Sequence, residues 1–165
     1  MGTSTVDTGF RGPQVCSIVG ISYRQLDYWA RTGLVLPSVQ PAQGSGSQRL
    51  YSFEDLIDLK LIKNLLDAGI SLQKVRDAIE ALHQIGQDRA GVTIASDGTS
   101  VYALKSPEEV FDLLRKGQGV FGIAIDPVMQ QLEGSVSELR LREENEAKGE
   151  EIAPPISIRK VQGGD

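Results

Sequence analysis

Between Gly20 and Pro37 the chain reads G-I-S-Y-R-Q-L-D-Y-W-A-R-T-G-L-V-L-P, which gathers its only tryptophan, two tyrosines and two arginines. Arginine can bond guanine at two points and glutamine can do the same with adenine, while tyrosine hydroxyls reach phosphate oxygens. Tyr23, Arg24, Gln25, Tyr28 and Arg31 are thus candidate contacts to double-stranded DNA. Their charge stands out against the rest of the chain. The 165 residues carry a net charge of −5, yet between Arg11 and Phe53 Asp27 is the only acidic residue, set against Arg11, Arg24, Arg31 and Arg49. The excess of negative charge lies wholly in residues 88–165.

Two short helices position these groups. Gly12-Pro13 opens the first, since proline is tolerated in a first turn, and Gly20 can end it with a positive φ. Ser22 caps the second, with Gln25 at capping-box spacing, and Leu26, Trp29 and Ala30 fall on the face opposite the candidate contacts. Gly33 stops it. Two helices joined at Gly20-Ile21 make a helix-turn-helix pattern. Val35–Val39 and Arg49–Tyr51 read as hairpin arms around the Gly- and Ser-rich loop Q-P-A-Q-G-S-G-S-Q. A third helix follows Ser52, with Glu54 and Asp55 where its dipole favours them. A fourth begins at Ser71 and shows an apolar stripe of Leu72, Val75, Ile79 and Leu82.

Beyond Gly86 the texture changes. Two β-like runs flank Asp97-Gly98, a hairpin signal. A helix follows from Ser106 to Gly117, then a strand V-F-G-I-A-I, then a last helix from Pro127 to about Ala147. The organisation expected is a flexible start over 1–10, a DNA-binding domain over 11–87, a small ββαβα domain over 88–147 for an effector or for dimerisation, and a flexible tail over 148–165.

The runs L-D-Y-W-A-R-T-G-L-V-L-P, Q-R-L-Y-S-F-E-D-L and L-D-A-G-I-S-L-Q-K-V-R resemble the DNA-binding domain of MerR-type transcriptional regulators over roughly residues 10–85, and within that family actinobacterial members with a compact C-terminal domain. The resemblance implies an α+β chain: an N-terminal winged helix-turn-helix, mainly α with a β-hairpin wing, followed by a small α/β C-terminal domain. It also implies a sequence-specific transcriptional regulator whose second helix enters the major groove while Arg49 and Tyr51 contact DNA from the wing. Such dimers bend and untwist a promoter for RNA polymerase. Two departures stand out: Asp27 occupies a position where the family commonly has arginine, and Gln48 one where the wing usually has tyrosine. The long dimerisation helix that usually follows the fourth helix is missing; Met129, Leu132, Val136 and Leu139 form a substitute seam, or a stripe that covers the small sheet.

Other chemistries fit less well. Gly117-Gln118-Gly119-Val120-Phe121-Gly122 matches G-x-G-x-x-G, but it follows a helix and opens a strand, the reverse of a dinucleotide site. One cysteine, Cys16, and one histidine, His83, leave no Cys/His cluster for a metal. No nucleophile stands in pattern with a base, so no enzyme is read here, and no cofactor is implied. No apolar run is long enough to cross a membrane and no export signal opens the chain, so a cytoplasmic home is expected. The rival readings are a protein-interaction adaptor built on residues 88–147 and a receptor for an unknown small-molecule effector.

Overall fold

The structure, a computed structural model, describes residues 9–40, 49–86, 88–97, 100–115 and 121–149. Strand β1 (Phe10–Arg11) leads directly into helix α1 (Gly12–Val19), which turns at Gly20 into α2 (Tyr23–Arg31). Gly20 has a φ of 87°, a left-handed conformation that costs a residue without Cβ little. Strand β2 (Leu50–Tyr51) then precedes α3 (Phe53–Asp67) and α4 (Leu72–Ile85). Helix α3 is the centre of the core: Leu56, Ile57, Leu59, Leu61, Ile62 and Leu65 are all buried on it. Each such side chain contributes about 1.5–3 kcal/mol by leaving water.

The small sheet by the helices is not the expected hairpin. β2 pairs antiparallel with β1, Phe10 opposite Tyr51 and Arg11 opposite Leu50. The segment 35–39 forms no strand, and Gln40 meets Leu50 through an isolated bridge. Phe10, expected in a flexible start, is 2% exposed and belongs to the core. The cause is pairing across forty residues, which ties Phe10 and Arg11 to Leu50 and Tyr51. Residues 1–8, the loop 41–48 with Gln48, Gly98 of the Asp97-Gly98 turn, residues 117–120 of the glycine motif and the tail from 150 lie outside the described residues.

A second sheet of β3 (Thr93–Ser96), β4 (Val101–Leu104) and β5 (Phe121–Ala124) is antiparallel throughout in the order β4-β3-β5. Its central strand is the most buried, with Ile94, Ala95 and Ser96 all inside. α5 (Pro107–Arg115) connects β4 to β5, and α6 (Ile125–Ala147) closes the described chain, starting two residues before the expected Pro127. Helix α4 lies on β3 and β4. Packing groups the described residues up to Leu132 into one compact unit and those from Glu133 on into another. Along α6, Ile125, Val128 and Leu132 are buried within the first unit.

Candidate nucleic-acid interface

Helix α2 carries the candidate site, and its start is fixed by reciprocal bonds. The Ser22 hydroxyl accepts from the Gln25 N–H at 3.1 Å, and Gln25 Oε1 accepts from the Ser22 N–H at 3.1 Å. Leu26, Trp29 and Ala30 turn inward, while Tyr23 and Tyr28 are 58% and 50% exposed and Arg24, Gln25 and Arg31 are exposed beside them. Five of the residues expected at the site therefore share one outer surface. Tyr23 rests over Gly12 of α1, where a Cβ would come within 3.3 Å of the ring Cε1. Arg24 is exposed and has no ion-pair or hydrogen-bond partner among the described residues. Gln25 keeps both amide N–H donors, and its Oε1, which holds the Ser22 N–H, is an acceptor with two lone pairs.

Asp27 organises the charge at the other end of the helix. Its Oδ2 accepts from Arg31 Nε at 2.9 Å and its Oδ1 from Arg49 Nη2 at 2.9 Å. These two hydrogen bonds, the first to Arg31, hold the carboxyl below the usual aspartate value. Arg31 remains open, with 62% of its side chain exposed and its guanidinium 6.0 Å from the Tyr28 ring centre, at the limit of a cation–π contact. Arg49 does not. Only 17% of its side chain is exposed, and its Nη1 is buried without a partner among the described residues.

Tyr51, read from the resemblance as a wing contact, is fully buried. Its ring is core, and burial pushes the phenol up to about 12 against the opposing pull of the neighbouring Arg49 guanidinium. Alternation along the strand accounts for this, since β2 turns Tyr51 toward the helices. Ser38 and Ser52 fasten the neighbouring backbone: Asp55 Oδ2 accepts from the Ser38 N–H at 2.8 Å, the Ser38 hydroxyl at 2.7 Å and the Ser52 N–H at 2.9 Å.

A cluster that sequence reading missed lies behind this surface. Asp58, buried on α3, accepts from Arg89 Nη1 at 2.8 Å, and His83 Nε2 lies 2.6 Å from its other oxygen. Arg89 also donates to the carbonyls of Gly86 and Glu54. The signal was present as an acidic residue inside the apolar run Leu56-Ile57-Asp58-Leu59. A cavity of about 590 Å³ adjoins the cluster, lined among others by Leu36, Ser38, Asp55, His83 and Arg89.

The expected dimer seam is divided in the structure. Leu132 is 1% exposed and serves the core of its own chain, whereas Met129, Val136 and Leu139 are half-buried.

Residues 10–82 match the family described as MerR HTH family regulatory protein. That span holds β1, α1, α2, β2, α3 and nearly all of α4. The match places residues 10–82 in the MerR family. Uncharacterized HTH-type transcriptional regulators of Mycobacterium tuberculosis and Mycobacterium bovis are each 56% identical to this chain over 148 residues, covering 89% of it and 65% of their own length. The chain thus spans less than two thirds of the length of these relatives. The HTH-type transcriptional regulator GlnR of Bacillus cereus is 32% identical over 65 residues, 39% of this chain and 47% of that protein. Among the described residues no helix is long and apolar enough to cross a membrane.

Proposed function

We propose that this chain is a sequence-specific regulator of transcription that binds double-stranded promoter DNA as a homodimer, in the cytoplasm. The observation that carries the reading is Arg24, an exposed guanidinium with no partner among the described residues, on the first turn of a capped helix beside exposed Tyr23 and Gln25. That turn is the part of a recognition helix that meets base edges. Tyr28 and Arg31 continue the same surface and suit phosphate oxygens. Two copies would set their recognition helices about 34 Å apart, one turn of the duplex, which makes a two-fold symmetric site the natural target. Val136 and Leu139 on α6 are available for the seam between copies, and RNA polymerase is the partner such a promoter complex would serve.

Selecting duplexes from a random pool tests this directly. A two-fold symmetric consensus is expected, with affinity falling steeply as salt rises, by a log-log slope of about −0.9 for each phosphate neutralised. No consensus, or binding indifferent to salt, would end the reading. Replacing Val136 and Leu139 together by glutamate should leave a monomer in sedimentation while the helices stay folded. A dimer that persists assigns the seam elsewhere.

A further inference from the structure

Asp27 and Arg49 join helix α2 to the residue that precedes β2, and their geometry does not suit two groups waiting for phosphate. Arg49 Nη2 is committed to Asp27 Oδ1 at 2.9 Å, its Nη1 is buried, and its side chain is 17% exposed where that of Arg31 is 62% exposed. A guanidinium that anchors a backbone should be as open as Arg31. Arg49 also immediately precedes β2, which is held on one side to β1 and on the other to Gln40, where Leu50 N donates to the Gln40 carbonyl at 2.8 Å. Both ends of segment 41–48 therefore leave from one fixed rung. Asp27 lies on α2 between the exposed Tyr23–Gln25 turn and Arg31, so its bond to Arg49 links that rung to the recognition helix. A lone carboxylate facing duplex DNA would repel it, but this one already accepts from two guanidiniums.

We propose that Asp27 and Arg49 are positioning residues, a carboxylate–guanidinium strut that fixes the foot of the wing against helix α2 and itself touches no phosphate. The strut rests on the DNA-binding reading above for its use, and it acts on preference among sequences rather than on charge attraction. The wing and the first turn of α2 meet a duplex together only when their separation is set. The strut sets it at one point.

The test uses the full chain, a duplex selected from a random pool, and a scrambled duplex of the same length and composition. Arg49→Ala and Asp27→Ala should each weaken binding to the selected duplex about five- to tenfold, and the double variant should lose no more than either single one, as expected for two groups acting through one contact. Arg49→Ala should leave the salt slope unchanged and binding to the scrambled duplex within about twofold, since no phosphate contact is lost. Asp27→Glu, which keeps the carboxylate, should recover most of the preference.

Three results would overturn the strut: a salt slope shallower by about 0.9 in Arg49→Ala, which marks a phosphate anchor; losses that add in the double variant; or tighter binding of both duplexes by Asp27→Ala, which marks simple repulsion. Arginine side-chain NMR of the free protein gives a readout without DNA, in which Asp27→Ala should move the Arg49 signals; signals that stay in place would also overturn it. Failure of the DNA-binding reading looks different, because the wild-type chain itself would then show no preference between the duplexes, and the strut's role in recognition would fall with it while the free-protein spectra still reported the contact.

Discussion

Asp27 and Asp58 have closely similar immediate partners. Each gives one oxygen to an arginine from a distant stretch of chain, Arg49 or Arg89, and the other to a second basic side chain, Arg31 or His83. Solvent separates them. The Asp27 side chain is 31% exposed and that of Asp58 is 4% exposed. Water screens the first group, so its ion pairs add little to stability. The second has lost its hydration, so its partners are obligatory for the fold. The difference teaches that the same arrangement of three side chains can weigh little or heavily on folding, according to depth.

The sharpest way to break this comparison is Arg89→Ala, which leaves Asp58 buried with only His83 beside it. A loss of about 3–5 kcal/mol in urea unfolding is expected; a loss under about 1 kcal/mol would make the two clusters equivalent. Next comes Arg24→Ala on the outer surface, expected to cost about 1–3 kcal/mol on the selected duplex and to flatten preference at one base pair. Its urea midpoint should not move. Ser22→Ala should lower stability by about 1 kcal/mol, because the Gln25 N–H loses its acceptor, which would show that α2 is held by its cap more than by the ion pairs on it.

The smallest effect concerns pH. Asp58 hydrogen-bonds the His83 ring and raises its pKa above the ordinary 6.5, so folding favours the protonated ring. That contribution is full below pH 6.5 and is lost as pH rises through the raised value. The stability gap between wild type and His83→Gln should shrink over that window, and should stay below about 1 kcal/mol because half of the side chain is in water.

What could be read beforehand divides along a physical line. The starts and ends of α1, α2 and α3 were legible because caps, proline and glycine act within a few residues. β1 was not, since two residues have no periodicity and their partner stands forty positions away. Tyr51 was assigned outward from resemblance, but its facing is settled by how β2 sits on the helices. Gln25 was legible as a capping partner because the capping box acts within three residues. Asp58 and Arg89 were passed over because a buried charge is found by what surrounds it, and neither sequence neighbourhood contains the other. Leu132 fitted a seam by spacing, and only the fold showed that its own chain had already used it.

Gly12 forms the floor under the Tyr23 ring. A methyl group at that position would lie 3.3 Å from the ring Cε1, so the first aromatic group of the outer surface would have to give way by a few tenths of an ångström. The calibration of this surface is thus held partly by an atom that is missing, one helix upstream. A change in preferred DNA sequence could therefore arise from a substitution that no inventory of touching residues would include.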